Sequence, residues 1–165
     1  MKKLSKFILI FIMVIGIFTL AGCGKTEAPK SDNVKEFSNT IAGKLAKQFY
    51  DEIKDNKDLE KIANKLSENE IIEFSVGVEE LNEDSYFAGI TTEVKGFKKA
   101  YAIRPMIGTI PFVAYMFEVD DAEAFEANLK ENVDLRWNIC TEADTVESVV
   151  FENYVFIVLS PNGSE

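Results

Sequence analysis

Thr145-Val-Glu-Ser-Val-Val-Phe151-Glu152-Asn153-Tyr154-Val-Phe-Ile-Val-Leu-Ser160 decides the fold. Two seven-residue runs rich in β-branched and aromatic residues flank a two-residue break, the length of a tight hairpin loop, so the chain predicts paired antiparallel strands at 145–151 and 154–160. Upstream, Phe112 to Val119 is almost wholly apolar and reads as a central strand covered on both sides. Phe97 to Arg104 sets Phe97, Lys99, Tyr101 and Ile103 against Lys98, Ala100 and Ala102, a strand with one large-residue face that ends at Pro105. Between these pairs, Asp120 stands three residues before Glu123 as the expected cap of a helix whose buried stripe is Ala122, Phe125, Leu129 and Val133.

Toward the N-terminus, Val34, Phe37, Ile41, Leu45, Phe49 and Ile53 recur every three or four residues, the spacing of one helix face. Asp55-Asn-Lys-Asp58 breaks the pattern, and Leu59, Ile62, Ala63 and Leu66 resume it as a second, shorter helix. The charges from Asp51 to Asp58 read as a solvated turn, because the ligand spacing and glycine of a calcium loop are missing. Ile71 to Val78 reads as extended, and the acidic start of Glu79 to Phe87 suits a helix N-terminus. The order predicts an α+β domain over 34–161: N-terminal helices, then an antiparallel sheet of four to five strands in β-β-α-β-β order with helices on one face, followed by a tail at 162–165.

The first residues carry an address. Lys2, Lys3 and Lys6 precede an apolar run from Phe7 to Leu20, the layout of an export signal over residues 1–22, and the run is short for a permanent membrane span. Leu20-Ala-Gly-Cys23 resembles the lipobox of bacterial lipoproteins, in which the cysteine thiol receives a diacylglyceryl group and becomes the new N-terminus. Two acyl chains on Cys23 suffice for stable anchoring where one does not. Residues 23–33, with Pro29, Ser31 and two lysines, read as a flexible tether.

Composition narrows what a tethered domain of this size does. The 165 residues carry 18 basic and 28 acidic side chains, a net charge of −10, so nucleic acid is excluded as a non-specific partner. Loss of residues 1–22 removes three lysines and no acid, which leaves 15 basic and 28 acidic residues and a net charge of −13. No histidine occurs, which excludes histidine-based triads and imidazole metal sites, and two cysteines make neither a disulfide framework nor a thiolate zinc site. No Ser-x-x-Lys, Gly-x-Ser-x-Gly or phosphate-binding glycine loop is present, so we expect no enzyme, no metal and no cofactor. Adjacent acids such as Glu79-Glu80 and Asp120-Asp121 read as surface or capping groups.

Three side chains are candidates for binding: Arg104, Arg136 and Trp137. Arg136 and Trp137, expected at the end of a helix, offer a guanidinium and an indole to a partner; the competing reading has Trp137 plugging the edge of the core while Arg136 neutralises nearby acids. Arg104-Pro-Met-Ile-Gly108 is a loop with exposed-looking apolar residues, and loops on a rigid sheet often carry binding. Cys140 reads as a small buried hydrophobe beside Ile139, with a reactive thiol or an intermolecular bridge as the alternative.

Tyr101-Ala-Ile-Arg-Pro-Met106, Ala114-Tyr-Met-Phe-Glu-Val119, the capped helix, and Asn132-Val-Asp134 leading to Trp137-Asn-Ile-Cys-Thr141 together resemble a domain-of-unknown-function family of small lipoproteins from clostridia and their relatives. The resemblance spans about Ile71 to Pro161 plus the leader. It implies location and fold type and brings no catalytic residue. The expectation is therefore a lipid-anchored module on the outer face of the cell membrane that binds a protein or envelope component without catalysis. The alternative is a small-ligand binder whose pocket is lined by Arg104, Trp137 and nearby aromatics.

Overall fold

The computed structural model describes residues 36–162. The leader, Cys23, the tether, Val34 and the tail from 163 onward lie outside the described residues. Helix α1 (Ile41–Asp55) starts later than the apolar spacing predicts, because Thr40 takes the cap position and its hydroxyl accepts the Gly43 amide at 3.1 Å. Phe37 precedes the helix and still joins the core, with its ring 5.9 Å from that of Tyr50. Helix α2 (Leu59–Ser67) begins after Asp58, whose carboxylate accepts the Lys61 amide.

Five strands follow: β1 (Val76–Leu81), β2 (Phe97–Pro105), β3 (Val113–Val119), β4 (Thr145–Phe151) and β5 (Tyr154–Ser160), with helix α3 (Ala122–Glu131) between β3 and β4. They form one sheet in the order β1-β2-β3-β5-β4, antiparallel throughout. The hairpin closes through Glu152-Asn153 as expected, with Phe151 opposite Tyr154 and Glu152 in the left-handed region at φ 53°. The α+β class and the β-β-α-β-β order are as the sequence predicts.

Four local expectations change. Glu79, Glu80 and Leu81 are strand rather than helix, paired with Ala102, Tyr101 and Ala100; cross-strand pairing outweighs the acidic first-turn signal, and Asn82 to Ser85 makes a polar turn instead. The extended segment begins only at Val76, since Asn69 holds Ile71 and Ile72 in a turn. The cap of α3 is Asp121, which accepts the Ala124 amide at 3.1 Å, while Asp120 pairs with Lys98 at 2.5 Å. Phe97 leaves the face of Tyr101 and Ile103, because a register shift between Phe97 and Lys99 turns it to the other side.

The central strand is covered on both sides, as its apolar run predicts, but helices lie on both faces of the sheet and not on one. On the first face α1 and α2 bury Leu45, Phe49, Ile53, Ile62 and Leu66 against Ile103, Met116 and Phe156, with Phe49 stacked on Phe156 at 4.9 Å. On the second face α3 lays Ala122 and Leu129, with Phe125 half-buried, over Tyr115, Phe117, Val155 and Ile157. The remainder of that face lies beneath the long β1–β2 connection, which contributes Phe87, Ile90 and Val94. The small side chains of Ala100 and Ala102 on the same face leave room for the Phe87 ring, 5.5 Å from the Tyr115 ring.

Candidate functional site, the loop end of the sheet

At one end of the sheet β2 finishes, β3 and β4 begin and β5 ends. Three connections meet there: a strap within the β1–β2 connection (Tyr86 to Thr91), the β2–β3 loop (Met106 to Phe112) and the α3–β4 loop (Asn132 to Asp144). Tyr115, buried in the central strand, donates its hydroxyl to the Ala88 carbonyl at 2.9 Å and holds the strap to the sheet. Burial pushes the Tyr115 phenol far above its ordinary pKa, with nearby Arg104 opposing the shift, so the group stays a protonated donor. On its other side the strap pairs with the α3–β4 loop: the Asp134 amide donates to Gly89 at 2.8 Å, the Thr91 amide to Asn132 at 2.9 Å, and Ile90 bridges Val133. The α3–β4 loop joins the β2–β3 loop through the Thr141 hydroxyl, which donates to the Thr109 carbonyl at 2.7 Å.

The candidate side chains take different places in this frame. Arg104 lies within β2, not in a loop. Its guanidinium contacts Glu79 at 2.8 Å, donates to the Tyr86 carbonyl, and stacks 5.8 Å from the Tyr115 ring centroid. It is a clamp on the strap, and its Nε is buried without a hydrogen-bond partner. Trp137 is half-buried at the edge of the second core, so the plug reading describes it. It sits in a loop rather than at a helix end, because α3 stops at Glu131. Arg136 is exposed and paired with Glu142. Arg136 and Glu142 share an open cavity of about 430 Å3 with Asn138, Ile139, Cys140 and Thr141; Arg104 and Trp137 do not line it.

Cys140 is exposed, contrary to the expectation of burial. The bonds of Thr141 to Thr109 and of the Ala143 amide to the Leu135 carbonyl fix the loop so that its tip faces solvent, and Ile139 is 103% exposed. Met106 and Ile107, at 72% and 62%, and Tyr86, at 70%, add to the exposed apolar surface of this end. Tyr86 was not a candidate in the sequence, where a helix was expected. Met106 and Ile107 lie in the loop whose apolar residues the sequence expects to be exposed, whereas the tip at Ile139 runs against the burial expected of Cys140; the signal for it is the uncharged stretch Trp137 to Thr141 in a chain that is 28% charged.

Among the described residues no helix is long and apolar enough to cross a membrane, and no group of three or more His, Cys, Asp or Glu side chains is placed to hold a metal ion. Comparison with protein-family models, with curated proteins and with solved structures finds no match.

Proposed function

We propose that the chain is a lipid-anchored extracytoplasmic binding module, held to the outer face of the cell membrane through Cys23 and acting without catalysis on a protein or envelope component. The anchor reading rests on Lys2 to Cys23, where a basic start, an apolar run and Leu-Ala-Gly-Cys follow in the order an exported lipoprotein requires. The observation that carries the binding reading is the exposed apolar tips of the loop end. Four large apolar side chains, Tyr86, Met106, Ile107 and Ile139, stand in solvent on loops that hydrogen bonds fix to the sheet. Apolar surface kept exposed on a fixed frame is the usual mark of a contact surface. Both arginines at this end are neutralised by Glu79 and Glu142, so the contact is apolar in character and not an anion clamp.

The test places a photoreactive residue at Ile107 and, separately, at Glu60 on the opposite helix pair, in intact cells. The proposal expects protein adducts from position 107 and none from position 60, and their loss when Cys23→Ser releases the chain from the membrane. Equal adducts from the two positions would refute it, as would turnover of an envelope substrate abolished by a single substitution.

A further inference from the structure

The two layers that cover the sheet differ in charge. The helix pair over the first face, residues 36–68, carries six lysines and seven acids, a net charge of −1. The connections and α3 over the second face, residues 82–96 and 120–144, carry three basic and eleven acidic side chains, a net charge of −8. On the exposed side of α1, Lys44, Lys47 and Lys54 recur at helical spacing against Asp51 and Asp55, and Asp51 is bonded to Lys47 and Lys54. The Lys54 ammonium stands 3.9 Å over the half-buried Tyr50 ring, and that of Lys57 4.1 Å over Phe151. Lysines beside half-buried aromatic rings are the side chains of a membrane–water boundary. The chain also enters the domain on this side, because the described residues begin at Glu36 and the Phe37 ring lies 5.9 Å from that of Tyr50. We infer that the surface of α1 around Lys47, Tyr50 and Lys54 rests on the anionic headgroups of the membrane that holds Cys23, with the acidic second face turned away. The inference rests on the anchor reading above and gives the anchored domain an orientation.

Repulsion selects this face more than attraction does. Residues 23–35 reach at most about 45 Å when fully extended and about 20 Å as a flexible coil, so the domain is held within roughly its own thickness of the bilayer. An anionic surface acts on charges within about 10 Å of it, so the cover layer that meets the headgroups decides the orientation. Turning the second face to the membrane brings its net −8 against like charge, and turning the loop end brings Asp134, Glu142 and Asp144. The helix pair brings a net of −1, with long lysine side chains outermost. The carboxylates that the sheet itself sets on the first face, Glu80, Glu118 and Glu147, stand about 10 Å behind the helices. With the helix pair down, the strands run parallel to the membrane, and the loop end with its apolar tips opens sideways along the surface.

The experiment uses the lipidated chain extracted from its own membrane and returned to vesicles. Cys23 has no free thiol once acylated, so in a Cys140→Ser background a dye attaches only at Asn64→Cys on α2 or at Asn128→Cys on α3, both exposed and uncharged positions on opposite faces. Energy transfer to acceptor-labelled headgroups reads how near each face lies to the bilayer. In phosphatidylcholine vesicles with about one-third phosphatidylglycerol, transfer from position 64 should exceed that from position 128 about threefold or more, and this preference should fall to about half or less in phosphatidylcholine alone. Lys44→Gln, Lys47→Gln and Lys54→Gln together should remove the preference with little change in the thermal melt, because the ion pairs lost are exposed. Equal transfer from the two positions, greater transfer from 128, or a preference unchanged by phosphatidylglycerol or by the three substitutions would overturn the orientation and leave the anchor reading standing. A chain that carries no lipid and does not float with the vesicles would overturn both.

Discussion

The indole of Trp137 closes over Gly89 so nearly that a Cβ at Gly89 would stand 3.2 Å from Trp137 Cε3 and 2.6 Å from Leu159 Cδ2. Gly89 also holds φ at +77°, a conformation that side-chain-bearing residues adopt at a cost. This contact seals the strap against the α3–β4 loop and keeps the loop tips in their exposed positions. Gly89→Ala therefore combines backbone strain with a clash against Leu159, and should cost about 2 kcal/mol or more in urea unfolding. A cost below about 0.5 kcal/mol would show that the strap is loosely held.

Tyr115→Phe removes the donor to the Ala88 carbonyl at 2.9 Å and leaves that acceptor beneath the strap without its partner. The expected loss is about 1–2 kcal/mol, and amide hydrogen exchange should rise first in residues 86–91. The phenol should not titrate at its ordinary value, because burial raises its pKa. Its contribution to stability is complete below the unfolded tyrosine value and is lost as pH rises toward the folded one. A spectrophotometric titration should therefore leave one tyrosine uncharged until the chain unfolds in alkali.

Asp121 and Asp120 are adjacent, yet only Asp121 accepts an amide of the first helical turn. Asp121→Ala should cost about 1 kcal/mol of stability. Asp120→Ala breaks only an exposed ion pair with Lys98 and should cost about 0.5 kcal/mol or less. A reversed order in thermal or denaturant unfolding would return the cap to Asp120.

Acid weakens the helix pair with a defined sign. Hydrogen bonds from Lys47 to Asp51 and from Lys61 to Asp58 hold both carboxyls below their ordinary value of 3.8. Their contribution is complete above that value and is lost as pH falls through the lower folded pKa of each. Asp58→Asn keeps an acceptor at the cap but cannot titrate, so the variant should show a shallower stability loss below about pH 4. An unchanged acid profile would mean that Asp58 adds nothing as an anion.

The hairpin at 145–160, the central strand and both N-terminal helices were legible because their signals are local: a two-residue gap, an unbroken apolar run, a three-to-four spacing. What depends on distant partners was not. Glu79 and Glu80 read as a helix start until β2 pairs with them, and a register shift at Lys98 decides which face Phe97 joins. The apolar run of β3 implies cover on both sides, but what covers the second face is not local information, because the strap has no periodicity and is held by Tyr115, Arg104 and Trp137 from elsewhere in the chain. Arg104 was singled out as a binding residue on its charge, but the placement of Glu79 and Tyr86 makes it a clamp. Cys140 was expected inside because free cysteine commonly is, and a single hydrogen bond from Thr141 helps keep its loop outside.

The intact mass of the protein extracted from membranes tests the account most directly. A lipid-anchored extracytoplasmic module should begin at Cys23, carry the mass of a diacylglyceryl group on that residue, and be degraded by protease added to intact cells. A chain that retains Met1, or that begins elsewhere without lipid and resists protease outside the cell, would contradict it.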